Sequence, residues 1–483
     1  MEGAKSPKDK TFYPRIGLEI HMELNTRSKC FCDCKNDPDE IRPNINVCPI
    51  CMGYPGALPV LNKEAVRSVL KLGIALGSKI ANFTEWDRKN YFYPDIPKAY
   101  QISQYKHPLV EGGELEGVAI TRVHLEEDTA RSQHDKGDTS LVDFNRSGVP
   151  LMELVTEPVI FDAETAGKFA KSLQLLLQYL GIAEANMEKG EMRVEANISV
   201  STDPSVFGTK VEVKNLNSFR SVERAIAYEL KRHEEAILAG EKIVQETRGF
   251  DEGKGTTFSQ RSKEEAHDYR YFPDPDLPKL FVSEVFDLEE IKSQMPELPW
   301  QRKNKFIQSG VKEEDAEIFT RERILGNYFV EVISLVGESK GKDFIQLLSN
   351  YVLSDIQAQT KEGTLEEVLT AISKETLIKI GELIKEGKVS SRGAKDLIAL
   401  LVKNGGGDAE KVAEENGLFQ NIDLSFIDSI AQEVISENEK IVTEYKSGKE
   451  NALQFLIGQG MKKSKGKANP ERLKEVLINK LSA

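Results

Sequence analysis

Long apolar runs are missing from this 483-residue chain, and that absence removes one class of function. No segment approaches the roughly 18 consecutive apolar residues that a membrane-spanning helix needs. The opening MEGAKSPKDK lacks the apolar centre of a secretory signal, so the sequence reads as a cytoplasmic protein behind a frayed leader. The common nucleotide loops are missing too. Neither G-x-x-x-x-G-K-[ST] nor G-x-G-x-x-G occurs, which disfavours a P-loop or a Rossmann site. There is no internal repeat and no low-complexity tract. A formal net charge of -13 argues against a general binder of polyanions, although a local basic surface survives inside such a sum.

Cysteine is scarce, at 5 residues, and all of it lies in one stretch, CFCDCKNDPDEIRPNINVCPIC, from Cys30 to Cys51. In a reducing compartment clustered thiols point to a metal before a disulfide. Cys32, Cys34, Cys48 and Cys51 give C-x-C-x13-C-x-x-C, two chelating pairs joined by a loop that Pro43 and Pro49 stiffen. Four thiolates around one Zn2+ leave no open position, so this would be a structural zinc, folding a loop too polar to fold itself. Clustered inert thiols are the alternative, and Cys30 is able to stand in for Cys32 or Cys34.

With 39% hydrophobic and 30% charged residues, the chain has the material for several soluble domains. RIGLEIHMEL alternates: Ile16, Leu18, Ile20, Met22 and Leu24 share one face, and Gly17, Glu19, His21 and Glu23 the other. EMRVEANISV repeats this with Met192, Val194, Ala196, Ile198 and Val200 against Arg193, Glu195, Asn197 and Ser199. Such strands predict a mostly antiparallel sheet with one polar face. Helical periodicity fills ETAGKFAKSLQLLLQYLG and SVERAIAYELKRHEEAILAG, each closed by glycine. After Pro296 and Pro299 helix-type periodicity is continuous, and Gly405, Gly406 and Gly407 predict a second break. The expectation is an α+β protein with segments 1–298, 299–406 and 407–483, the last two all-helical. In the last, Asn469 before Pro470 suits a helix N-cap. From Met461 onward there are 7 basic residues against 2 acidic ones, either a solvated helix face or a contact to phosphates.

Chemistry concentrates in the first segment. Glu19 and His21 lie two apart on a strand, on one face and about 7 Å apart, a spacing that suits one shared cation or two adjacent ones. VHLEED adds Glu126, Glu127 and Asp128, and GVPLMELVTEP adds Glu153 and Glu157. Glu153, inside an apolar run, wants a cation or a base, since an unpaired buried carboxylate is costly; an ordinary salt bridge would satisfy it equally. DRKNYFYPDIPKAYQISQY and HDYRYFPDPDLP combine aromatics, prolines and charges as ligand-side loops do, and as packed connections also do.

Together IGLEIHMEL, VCPICMGYPGALPVLN, DRKNYFYPDIPKAYQISQY, HLEEDTA, VDFNRSGVPLMELVTEP, VKNLNSF, QETRGFD and DYRYFPDPDLP resemble the B subunits (GatB) of tRNA-dependent Glu/Asp amidotransferases, in order and over nearly the whole chain. The resemblance implies a subunit that uses ATP and Mg2+ to phosphorylate the side-chain carboxylate of misacylated Glu-tRNA(Gln) or Asp-tRNA(Asn). Ammonia released by an amidase subunit (GatA) then gives Gln-tRNA(Gln) or Asn-tRNA(Asn), and a small subunit (GatC) completes a heterotrimer. Carried over by position, the metal and kinase residues are Glu19, His21, Glu127 and Glu153, with His21 binding as neutral imidazole. Lys89 falls at the position tied to the ammonia path, and the zinc ligands fall on Cys32, Cys34, Cys48 and Cys51.

The same resemblance implies a cradle-shaped, antiparallel-sheet catalytic domain, a helical domain and a YqeY-like tail that meets tRNA, here through Lys462, Lys463, Lys465 and Lys467. No Ser-Ser-Lys amidase signature is present, so glutamine hydrolysis is expected of a partner. The archaeal E-type relative carries a large insertion for which this chain is too short. The competing reading is a non-enzymatic, zinc-containing tRNA-binding protein on the same scaffold.

Overall fold

The computed structural model describes residues 11–136, 139–262, 269–337, 340–361, 363–420, 424–449, 451–464 and 468–482. The chain falls into two compact units, Met1–Leu298 and Pro299–Ala483.

In the first unit the elements used below are β1 (Tyr13–Glu23), α1 (Lys63–Ala75), β2 (Asp87–Asn90), β3 (Tyr100–Ser103), β4 (Val118–Glu127) and β5 (Pro150–Thr156). They continue with α2 (Ala163–Leu180), β6 (Met192–Ser201), β7 (Val211–Leu216), α3 (Phe219–Ala239), β8 (Glu246–Asp251), β9 (Thr256–Ser262) and β10 (Phe272–Pro273). A 10-stranded sheet runs β9-β8-β7-β6-β1-β5-β4 and ends in short edge strands. Its alternation is the one read from the sequence: Ile16, Leu18, Ile20 and Met22 of β1 and Met192, Val194, Ala196 and Ile198 of β6 are fully buried. They pack with Val66 and Leu70 of α1, Phe169 and Leu173 of α2 and Val222 and Ile226 of α3 in one core. The opposite face of β1 is left for polar work.

One pairing departs from an antiparallel sheet: β7 and β8 run parallel. α3 lies between them in sequence, and a helical crossover returns the chain in the same direction where a hairpin would reverse it. The helices end as expected, α2 at Gly181 and α3 at Gly240, both left-handed at φ 67° and 75°. Asp162 and Ser218 cap their starts through side-chain oxygens.

The second unit begins at Pro299, the first residue of helix Pro299–Ser309. Among its described residues the unit is helical apart from isolated bridge positions, one of which pairs Val389 with Phe419. One core spans Phe306 to Ala413 and a second spans Ile427 to Leu481. The glycine run 405–407 turns the chain without separating cores, because Ala409 and Ala413 beyond it pack in the first cluster. Asn469 caps Pro470–Ser482, its Oδ1 accepting from the backbone N–H of Glu471 and Arg472 at 3.1 Å each.

Candidate active site and candidate metal centres

Strand register decides which polar groups meet. His21 of β1 stands opposite Glu153 of β5, and Glu153 stands opposite His124 of β4, a row of imidazole, carboxylate and imidazole across three strands. On the other flank Glu19 pairs with Glu195 of β6. Glu126 joins because residues two apart share a face. His21 Nε2 lies 3.4 Å from Glu153 Oε2, 3.8 Å from Glu126 Oε1 and 3.9 Å from Glu19 Oε1. His124 Nε2 lies 3.3 Å from Glu153 Oε2 and 3.7 Å from Glu126 Oε2. Three sets of donors converge closely enough to hold an ion: Glu19, His21 and Glu153; His124, Glu126 and Glu153; and Glu19, Glu195 and Glu212. Because Glu153 and Glu19 each belong to two sets, the donors form one continuous strip of hard and borderline ligands.

The charge balance of the strip is internal. Burial pulls the His21 imidazole down, but the hydrogen bond to Glu153 and the surrounding carboxylates outweigh it and push its pKa up to about 9. His124 follows: burial lowers it, the Glu153 charge wins, and it too reaches about 9. Burial would raise Glu153, yet the His124 charge and the imidazole hydrogen bonds hold it well below the carboxylate range. At the edge, burial and then the Glu153 and Glu195 charges push Glu19 up to about 7. Values near 9 favour protonated imidazoles near neutral pH when no cation is bound; the neutral His21 expected above belongs to the metal-bound state. A divalent ion replacing those protons would release them and restore the neutral ligand.

Glu19, Glu153 and His124 of the strip, with Glu212, line a cavity of about 740 Å3 walled by Tyr91, Tyr93, Tyr105, Tyr269 and Tyr271 and by Lys89, Arg122 and Lys214. The two aromatic loops make that wall together. β10 pairs with β2, Arg88 Nε donates to Asp274 Oδ2 at 2.8 Å, and Asn90 N–H donates to the Tyr269 carbonyl at 2.9 Å. Tyr105 and Tyr271 stack with ring centres 4.4 Å apart. Lys89 Nζ sits 5.2 Å from the Tyr269 ring centre and 5.9 Å from that of Tyr91. Burial disfavours the Lys89 ammonium, but the Glu126 charge outweighs burial and raises its pKa.

Glu19, His21, Glu153 and Lys89 are thus brought together as expected, and Glu127 is not. The alternation of β4 turns Glu127 to the opposite face, where its Oε1 accepts from Ile102 N–H at 2.9 Å and pairs with Lys98. The group facing the strip is Glu126, fixed by Ser103 Oγ at 2.8 Å. His124, Glu195, Glu212 and Lys214 lie outside the expected set. His124 is two residues from Glu126 in VHLEED, and Glu195 is on the polar face of EMRVEANISV, so period-two spacing was the available signal. Nothing local marked Lys214, whose Nζ lies 2.7 Å from Glu195 Oε2 and 3.7 Å from Glu212 Oε1.

The sulfur atoms of Cys32, Cys34, Cys48 and Cys51 all lie within 4.8 Å of one another. Cys48 and Cys51 are 3.9 Å apart, close to the roughly 3.8 Å edge of a tetrahedron with bonds of about 2.3 Å to zinc. These four fit a structural metal. Cys30 does not compete: it is fully buried in the core, and burial raises its thiol well above the usual range.

Comparison with known proteins now bears on the whole chain. The family model described as the GatB/GatE catalytic domain matches residues 14–286, and the one described as the GatB domain matches residues 328–481. The chain belongs to the GatB/GatE family. It is 44% identical over 473 residues to the B subunit of the aspartyl/glutamyl-tRNA(Asn/Gln) amidotransferase from Thermodesulfovibrio yellowstonii, covering 96% of this chain and 98% of that protein. It is 43% identical to the corresponding amidotransferase subunit from Gloeothece citriformis, covering 98% and 99%. The strip and the cysteine cluster both fall inside the catalytic-domain match.

In the last segment Lys462 is exposed, whereas Lys463 lies between Glu433 and Glu437 at 2.8 and 2.6 Å. Lys465 and Lys467 lie outside the described residues. Among the described residues no helix is long and apolar enough to cross a membrane.

Proposed function

We propose that this chain is the ATP-dependent subunit of a tRNA amidotransferase, acting on Glu-tRNA(Gln), Asp-tRNA(Asn) or both in the cytoplasm. The observation that carries this is the strip Glu19-His21-Glu153-His124-Glu126, which opens through Glu19, Glu153 and His124 onto a tyrosine-walled cavity beside Lys89. A non-enzymatic tRNA binder has no use for five buried or half-buried ligating groups gathered beside one cavity, whose assembly costs desolvation.

The reaction forms two bonds in turn. A side-chain carboxylate oxygen of the tRNA-bound amino acid attacks the γ-phosphorus of ATP and ADP leaves; ammonia then attacks the acyl phosphate, phosphate leaves and the amide is formed. Magnesium held by Glu19, His21, Glu153 and Glu126 would neutralise the charge between two anions that otherwise repel. The protein's own groups do the rest. Lys89 and Arg122 offer cationic donors to phosphate oxygens, and Lys214 keeps Glu195 and Glu212 compensated. The tyrosines exclude water from a reactive acyl phosphate. Ammonia is assigned to an amidase subunit, with a small third subunit completing a heterotrimer. The cysteine cluster holds Zn2+ as a closed structural site. The tail from the second helical core onward is assigned to tRNA, with Lys462 among its exposed described cations.

The test is ADP formation by the co-purified complex with and without Glu-tRNA(Gln) and Asp-tRNA(Asn). Stimulation by a charged tRNA, lost in Glu153→Gln while glutaminase activity persists, is the expected result. Stimulation by neither tRNA would leave the scaffold without the reaction and return the binding-protein reading.

A further inference from the structure

The face of β4 turned away from the strip carries Glu127, and its partners define what it holds. β3 forms its ladder with β2, and side chains tie it to β4. Glu127 Oε1 accepts from Ile102 N–H and pairs with the Lys98 ammonium, and the Glu127 carbonyl accepts from Gln101 Nε2 at 2.6 Å. Further along, Ser103 Oγ donates to Glu126 Oε2 and Leu125 N–H donates to Gln104 Oε1 at 3.0 Å. Gln101 is the cross-strand partner of Lys89, and Ile102 that of Arg88. Glu127 therefore holds Gln101, the partner of Lys89, through its carbonyl and Ile102, the partner of Arg88, through its carboxylate.

The grip closes over a strained turn. Ala99, between Lys98 and the start of β3, has φ 60°, a left-handed conformation costing an alanine on the order of 1 kcal/mol that persists only where its surroundings hold it. Lys98 on one side of Ala99 and Ile102 on the other both end on the same carboxylate. The cysteine loop covers this joint. Cys32, Cys51, Lys98 and Glu127 line one cavity of about 180 Å3, and a Cβ at Gly148 would stand 3.4 Å from Cys51 Cβ.

We propose that Glu127 and Lys98 are positioning residues: a buried ion pair beneath the cysteine loop that docks β2 and β3 onto β4 and sets where Lys89 stands beside Glu126 and Glu153. The pair acts through Lys89 and makes no contact with substrate or metal. Its effect on rate rests on the function proposed above; its effect on structure does not.

The experiment uses the co-purified complex and reads hydrogen exchange in 87–103, Mn2+ affinity without nucleotide, and steady-state ADP formation with charged tRNA. In Glu127→Gln and in Lys98→Met, exchange in 87–103 rises about tenfold while β1 and β5 exchange as in the native complex. Mn2+ affinity stays within about twofold of native in both, whereas Glu126→Gln weakens it by about tenfold or more. The kcat falls about tenfold with the KM for ATP within about twofold, and Lys98→Arg restores it. Weakening of Mn2+ binding by Glu127→Gln to the degree seen in Glu126→Gln would overturn the proposal, and so would native exchange in both variants. Should neither variant fold, Gln101→Leu, which removes the bond to the Glu127 carbonyl and the one that Gln101 Oε1 accepts from the Tyr91 hydroxyl, must show the same local rise, and native exchange there overturns the proposal as well. A native complex that forms no ADP removes the kinase reading, while the exchange and Mn2+ data still decide the joint.

Discussion

Two clusters of metal-ligating groups lie in one domain, and they are built on opposite plans. The cysteines sit on a loop without regular secondary structure, where a metal would tie four neighbouring sulfurs that no strand ladder holds, and a closed sulfur shell leaves nothing for chemistry. The strip of Glu19, His21, Glu153, His124 and Glu126 is set by backbone ladders across three strands, so its geometry exists before any ion arrives. Its two imidazoles carry charge in the ion's place. A site made by its metal is lost as structure when the metal goes, whereas a site made by a sheet is lost only as function.

That contrast is breakable by substitution. The largest effect is expected at Glu153, shared by two ligand sets: Glu153→Gln should lower charged-tRNA-stimulated ADP formation by about a thousandfold or more, with glutaminase activity of the complex retained. A variant that also loses cooperative folding would show the strip to be scaffold. The opposite pattern is expected at Cys48: Cys48→Ser should abolish stoichiometric zinc and lower the thermal midpoint or the yield before it changes kcat. A purely catalytic defect in a well-folded variant would refute the structural-metal reading.

A third buried carboxylate sharpens the comparison because protein groups satisfy it completely. Glu229 of α3 is fully buried, with Arg232 Nη2 at 2.7 Å, Arg248 Nε at 3.2 Å and Thr257 as partners. Burial opposes its charge, but the His233 imidazole 3.3 Å away and the hydrogen bonds from Arg232 and Thr257 outweigh that and lower its pKa to about 2. A depressed carboxylate stabilises the fold above its unfolded pKa and loses that contribution as pH falls through the folded value. Glu229→Gln should therefore cost up to about 3 kcal/mol of stability at pH 7, a difference that shrinks between pH 4.5 and about 2, with kcat unchanged. A pH-independent difference would assign the loss to packing. The smallest effect belongs to the tail: Lys462→Ala should weaken tRNA binding about twofold and reduce its salt dependence, whereas Lys463→Ala, already paired, should change it less. Equal losses would mean that both lysines reach phosphates.

Period-two alternation made the site strands legible, because β1 and β6 bury one face completely and leave the other polar. Caps were legible where one residue type has a local job, as at Gly181, Gly240 and Asn469. Three consecutive carboxylates, Glu126, Glu127 and Asp128, were not, since only the face of β4 separates them, and that face is fixed by register against β5. The same holds for Lys214 and Lys463, whose partners stand on other elements. The parallel pairing of β7 with β8 also depends on where α3 returns the chain.

β1 lies between β5 and β6, and it was made long before either. Leu18 N–H bonds Thr156 across 138 residues and Ser199 Oγ reaches the Arg15 carbonyl across 184. At synthesis rates of about 5–20 residues per second, the strand bearing Glu19 and His21 waits roughly 10 to 40 seconds for both neighbours. Throughout that interval an apolar strand edge is unpaired and Glu19 and His21 belong to no site. The centre of this sheet cannot form until Ser201 has been made, which makes the nascent chain, more than the finished protein, the state in need of protection.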